Sequence, residues 1–137
     1  MLDTLRLISD SGLMVLIWMV QLIVYPSFAY YNQENLYKWH SVYTGRIAVI
    51  VIPLMFGQLI TTGIQVFLEQ NFYTISSSIL VVAVWISTFA QFVPLHGNIS
   101  ENREIKNSIK KLVSKNWIRT FLWSLLFILT LSSTIII

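Results

Sequence analysis

Four long apolar runs constrain this chain more than any other feature. They cover about residues 12–30, 46–68, 75–95 and 117–136, and none holds an Asp, Glu or Lys in its core. A helix crossing the hydrocarbon of a bilayer needs about 20 such residues. Lipid offers no water to satisfy backbone N–H and C=O groups, so each run must satisfy its own as a helix or pair in a closed barrel. Barrel strands alternate apolar and polar residues. LVVAVWI and IAVIVIPLM do not. The sequence therefore predicts an all-α fold, a four-helix transmembrane bundle forming one integral membrane domain over residues 1–137.

Composition closes the alternatives. Only 11% of the 137 residues are charged, too few to cover the surface of a soluble domain this small. The absence of cysteine removes disulfides, thiolate catalysis and iron–sulfur or zinc–thiolate centres. Two histidines without an intramembrane carboxylate make too few ligands for a metal site, so no metal is expected. Pro26 and Pro94 lie near the ends of runs one and three and are expected to end those helices, whereas Pro53 should kink the second. Ser27-Phe28-Ala29 has the form of a signal-peptidase site. Asp3 and Asp10 offset Arg6 ahead of it, so a retained first helix is expected.

Charge orients the bundle. Lys38, Arg46, Arg103, Lys106, Lys110, Lys111, Lys115 and Arg119 all fall at one end, leaving only Arg6 at the other. The positive-inside rule predicts that end to be cytoplasmic, with both termini outside an inner (plasma) membrane. Nucleic acid is a poor partner for basic residues committed to the lipid boundary; membrane lipid is the expected one. Between runs three and four, Ile105, Ile109, Leu112 and Val113 make an apolar stripe beside Lys106, Lys110 and Lys111. This predicts a short basic amphipathic helix, capped by Asn98 or Ser100, lying on the membrane or running straight into the fourth span.

Polar residues cluster at the same end. Gln21 and Tyr25 close run one; His40, Tyr43 and Arg46 lead into run two, with Asn32 as a helix cap; Gln91 and His96 close run three; Asn116, Arg119 and Trp123 open run four. A bundle builds sites from such inward groups on neighbouring helices. His40, Tyr43 and His96 are the candidate proton-handling or catalytic residues. Arg46, Asn116, Arg119, Gln21, Tyr25 and Trp123 are candidate ligand-binding residues, with Trp39 and Trp123 as walls. Haem held by His40 and His96 is a further option. Gln58, Thr61 and Gln65 form a second polar stripe. With the small residue Gly57, it is expected to serve helix packing.

Trp18-x-x-Gln21-x-x-x-Tyr25-Pro26, His40-x-x-Tyr43-x-x-Arg46-Ile47, Pro53-x-Met55, Pro94-Leu95-His96 and Asn116-Trp117-Ile118-Arg119-Thr120-x-x-Trp123 together resemble a group of small bacterial four-helix membrane proteins. The last segment is also distantly similar to anthrone-oxygenase-like membrane proteins. The first resemblance implies the fold and singles out the same polar residues, and supplies no mechanism or cofactor. Three functions are expected from these residues. One is a polar pocket that binds an amphiphile such as a lipid headgroup or quinone-like molecule. Another is a membrane oxidoreductase or oxygenase. The last is a structural accessory subunit of a larger membrane complex, and a homo-oligomer or a membrane-complex partner is a further expectation. For topology, single cysteines at Asn71 and Lys110 should be labelled from opposite sides of intact cells by an impermeant maleimide; labelling from one side refutes it.

Overall fold

The computed structural model describes residues 1–136, and it is an all-α four-helix bundle. Helix α1 spans Leu2–Tyr30, α2 Gln33–Leu68, α3 Phe72–Ser100 and α4 Ile105–Ile136. All four are long and apolar enough to cross a membrane. At 1.5 Å per residue, 29 to 36 residues give about 43 to 54 Å, so each helix outruns the roughly 30 Å hydrocarbon core. Asn32 caps α2 by accepting from the Asn35 N–H at 2.8 Å. Asn71 and Thr74 form a reciprocal capping box at the start of α3.

The buried face of α4 shows why these helices extend beyond the apolar runs. Ile109, Leu112, Asn116, Arg119, Trp123, Leu126 and Thr130 are all buried, spaced alternately three and four apart. This heptad-like seam runs unbroken through the basic stretch. The basic amphipathic segment is therefore the first part of α4, not a separate element. Asn98 and Ser100 belong to the end of α3 and cap nothing in α4; the turn between the helices uses left-handed Asn102 and Glu104.

Two prolines do not end their helices. A π-helical turn at Val20–Val24 precedes Pro26, and another at Thr88–Phe92 precedes Pro94. Proline lacks an N–H and its ring crowds the carbonyl four residues back. A wider turn relieves the crowding and lets the helix continue, α1 to Tyr30 and α3 to Ser100. Each extra residue also rotates the rest of its helix about the axis, bringing Tyr25 and His96 to the bundle interior. Around Pro53 the α-helix is uninterrupted.

The N-terminal segment departs most from the sequence reading. Arg6 and Asp10 do not flank the first span; both are fully buried within α1. Arg6 Nε donates to Asp10 Oδ2 at 2.8 Å, and Thr130 Oγ1 donates to the same oxygen at 2.5 Å. Gln58 Nε2 donates to Asp10 Oδ1 at 2.6 Å. Arg6 Nη1 donates to Gln65 Oε1 at 3.1 Å, and Gln65 in turn donates to Asp3 at 2.9 Å. The Gln58/Gln65 stripe thus hydrogen-bonds a buried ion pair as well as packing helices. Gly57 lets α1 approach here, since a Cβ in its place would sit 3.0 Å from Ser9 Oγ. The bundle thus holds an acid that the sequence reading placed outside it.

Breaking a buried pair strands the surviving charge, at a cost of about 3–5 kcal/mol. Asp10→Asn should therefore lower the thermal unfolding midpoint in detergent sharply. The double variant Arg6→Met/Asp10→Leu should recover most of the loss. An unchanged midpoint in Asp10→Asn contradicts a buried pair.

Candidate functional site

The π turns, the α2 cap and the α4 seam bring four helices together at the basic end. Arg119 of α4 lies buried there at 8% exposure. Its Nε and Nη2 donate to Asn116 Oδ1 at 3.1 and 2.9 Å, and Nη2 also donates to the Tyr25 hydroxyl at 3.1 Å. Nη1 reaches Thr88 Oγ1 at 3.5 Å. The Phe92 ring covers the guanidinium, with Cζ 3.5 Å from its centroid. Among the described residues no carboxylate lies within salt-bridge distance of Arg119. The charge is solvated by neutral oxygens and an aromatic face alone.

Asn116 is held in turn. Its Nδ2 donates to Gln21 Oε1 at 2.9 Å, Thr120 Oγ1 donates to the same oxygen at 3.1 Å, and Gln21 Nε2 donates to the Val113 carbonyl at 3.0 Å. Gln21 therefore fixes Asn116, and Asn116 fixes the arginine.

On the other side of Arg119 a chain of side chains leads outward. Tyr25 Oη lies 3.0 Å from His96 Nε2, His96 Nδ1 lies 2.8 Å from His40 Nε2, and His40 Nδ1 lies 3.4 Å from Ser100 Oγ. Of the two hydrogen-bond partners of Tyr25, Arg119 can only donate, so His96 Nε2 is the one acceptor for its O–H, and the chain is fully bonded in one sense. A neutral His96 then carries its proton on Nδ1 and donates to His40 Nε2. His40 carries its own on Nδ1 and donates to Ser100. Hydrogen bonds aligned in one direction polarise and strengthen one another. His40 is fully buried, while Ser100 is exposed.

Tyr25, His96 and Arg119 also face a cavity of about 410 Å³. Tyr43, buried against the edge of Phe28, and Trp123 complete its polar end. Apart from Thr44 and Thr88, the rest of the wall is aliphatic and aromatic, from Leu16 and Ile17 to Met55 and Trp85. Ile52 and Phe56 of α2 and Phe89 and Val93 of α3 lie on its rim and are exposed, so the mouth opens sideways toward lipid. Trp123 links this end to the ion pair: its Nε1 donates to Gln58 Oε1 at 3.2 Å, and its ring lies 5.8 Å from Arg119 Cζ.

Of the residues singled out from sequence, Gln21, Tyr25, His40, Tyr43, His96, Asn116, Arg119 and Trp123 come together here. Arg46 does not, being exposed. Six residues of helix advance about 600°, which leaves Arg46 about 120° from His40. Trp39 lies at the surface and walls no part of the cavity. Gln91 accepts from Ser87 on its own helix at 3.0 Å. Haem ligation by His40 and His96 does not fit, because ring nitrogens 2.8 Å apart leave no room for an iron porphyrin between them. Sequence reasoning missed Thr88, Phe92 and the contact of Ser100 with His40. Thr88, Phe92 and His96 recur at four-residue steps, a helical-face signal that could have exposed the first two.

Comparison with protein-family models, with curated proteins and with solved structures finds no match to this chain.

Proposed function

We propose that this protein binds an amphiphile that enters from the bilayer between α2 and α3 and places an anionic or carbonyl head against Arg119. One observation carries the reading: a buried guanidinium without a carboxylate partner lies at the polar end of an apolar cavity open toward lipid. A buried cation held only by neutral groups keeps a net positive field that an anionic head would neutralise. The planar guanidinium also suits bidentate oxygens. The volume falls within the range of small-molecule sites, about 300–1,000 Å³. An aromatic or quinone-like head with the start of an alkyl tail is the fitting shape, the tail leaving through the mouth. The basic end is proposed to face the cytoplasm of a bacterial inner membrane, by the bias of Lys and Arg toward that end.

Catalysis on the same ligand is the second reading, favoured by the Tyr25–His96–His40 chain. A proton acceptor beside an arginine that stabilises an oxyanion is the arrangement enolate or phenolate chemistry uses.

The test is extraction of the protein with its lipid annulus into polymer nanodiscs, followed by mass spectrometry of everything released by solvent. Wild type should carry one amphiphile enriched over the bulk membrane. Arg119→Gln should lose about tenfold or more of it, and Lys110→Ala, on the exposed face of α4, should keep it. No enriched species in wild type, or equal enrichment in Arg119→Gln, contradicts the proposal.

A further inference from the structure

The charge balance of the site narrows the ligand class, provided the amphiphile reading holds. A permanently charged head crosses apolar lipid poorly, so a molecule arriving through the side mouth partitions best in a neutral form. Arg119, once it meets that head, favours the anion. A weak acid satisfies both demands if its proton can leave. The mouth offers no way out, since Ile52, Phe56, Phe89 and Val93 are apolar, and of the two threonines on the wall Thr44 donates to the Ser41 carbonyl and Thr88 accepts from Arg119. The hydrogen-bonded chain does offer one. It starts at Tyr25 on the cavity, passes through His96 and His40, and ends at exposed Ser100. Ser100 borders a polar surface groove with Lys38 and Ser41.

We infer that the ligand head is a weak O–H acid, bound as its anion, with its proton released at the Ser100 surface through Tyr25, His96 and His40. The donor sense already points that way. Tyr25 gives its proton to His96 Nε2 and takes the ligand's in exchange. His96 gives its Nδ1 proton to His40 Nε2, and His40 gives its Nδ1 proton to water at Ser100. One ligand O–H bond is broken, one proton reaches water, and no electron moves. Tyr25 and Arg119 then both donate to the ligand oxyanion. When the ligand leaves as the neutral acid, the chain runs backward and is restored.

The titratable and charged groups facing this path are Tyr25 from α1, His40 and Tyr43 from α2, His96 from α3 and Arg119 from α4. Lys38 stands at the outlet, paired with Glu34 at 3.0 Å. Glu101, next to Ser100, is paired with Arg103. Among the described residues, no carboxylate takes part in the chain's hydrogen bonds to receive the proton before water does.

The probe is 2-nitro-4-octylphenol, whose phenolate absorbs at longer wavelength than its neutral form, added to the full chain in zwitterionic nanodiscs. Wild type should bind it as phenolate at a pH where empty nanodiscs keep it protonated. Its apparent pKa should fall by about one unit or more. A soluble pH dye should record about one proton released per probe bound. The methyl ether, which cannot ionise, should bind about tenfold or more weakly. His96→Phe should slow phenolate formation and proton release together. His40→Gln serves as the second variant should His96→Phe fail to fold. Probe bound in its neutral form, ether and phenol bound equally, or unchanged rates in the histidine variants would each overturn the inference. No binding of the probe overturns it too. The broader amphiphile reading falls only if solvent extraction also returns nothing enriched.

Discussion

A guanidinium inside a membrane bundle must find its partners within the protein, and this bundle holds two that solve the problem differently. Arg6 has Asp10 one turn away and Gln65 on α2, and Gln58 and Thr130 bond the Asp10 carboxylate in turn. That cluster pairs the cation with an adjacent acid, and α1 and α2 approach closely beside it at Gly57. It has the character of a structural tie. Arg119 has no acid. Asn116, Tyr25 and the Phe92 face stabilise its charge without cancelling it, and beside it lies open volume. Stability draws on the first arginine, and the proposed function on the second.

The backbone makes both arrangements available with few special devices. The buried faces of α1 and α4 follow heptad-like seams, and polar residues occupy those seams near both ends. In lipid, apolar surface gives helices little reason to associate, so interhelical packing and hydrogen bonds must do so. The two π turns adjust the seam of α1 and α3 just before their prolines, where Tyr25 and His96 must face inward. Trp123 sits between the two polar clusters, bonded to one and stacked near the cation of the other.

The number and type of the helices were legible from sequence because hydrophobic length is a direct physical requirement of the bilayer. Their ends were not, because the projecting turns are polar outside and follow the seam inside. Arg6 and Asp10 read as an exposed flank since charge ordinarily stays in water; their i, i+4 spacing in phase with Leu13 and Ile17 was the signal that they belong to the buried face. The basic-end cluster was legible as a crowding of His, Tyr, Asn and Arg at helix ends. Its connectivity was not, since the π turns shift Tyr25 and His96 by an amount that no regular helical wheel contains. Arg46 illustrates the opposite error, in which nearness along the chain was read as a shared face.

The 15N resonances of the two imidazoles in lipid bilayers test the account most directly. Arg119 can only donate, which leaves His96 Nε2 as the acceptor for the Tyr25 O–H. Without ligand, His40 and His96 should both be neutral with the proton on Nδ1, and that pattern should weaken in Arg119→Gln. An imidazolium at either position, or a proton resident on Nε2 of His96 in wild type, would show that the guanidinium does not organise the site.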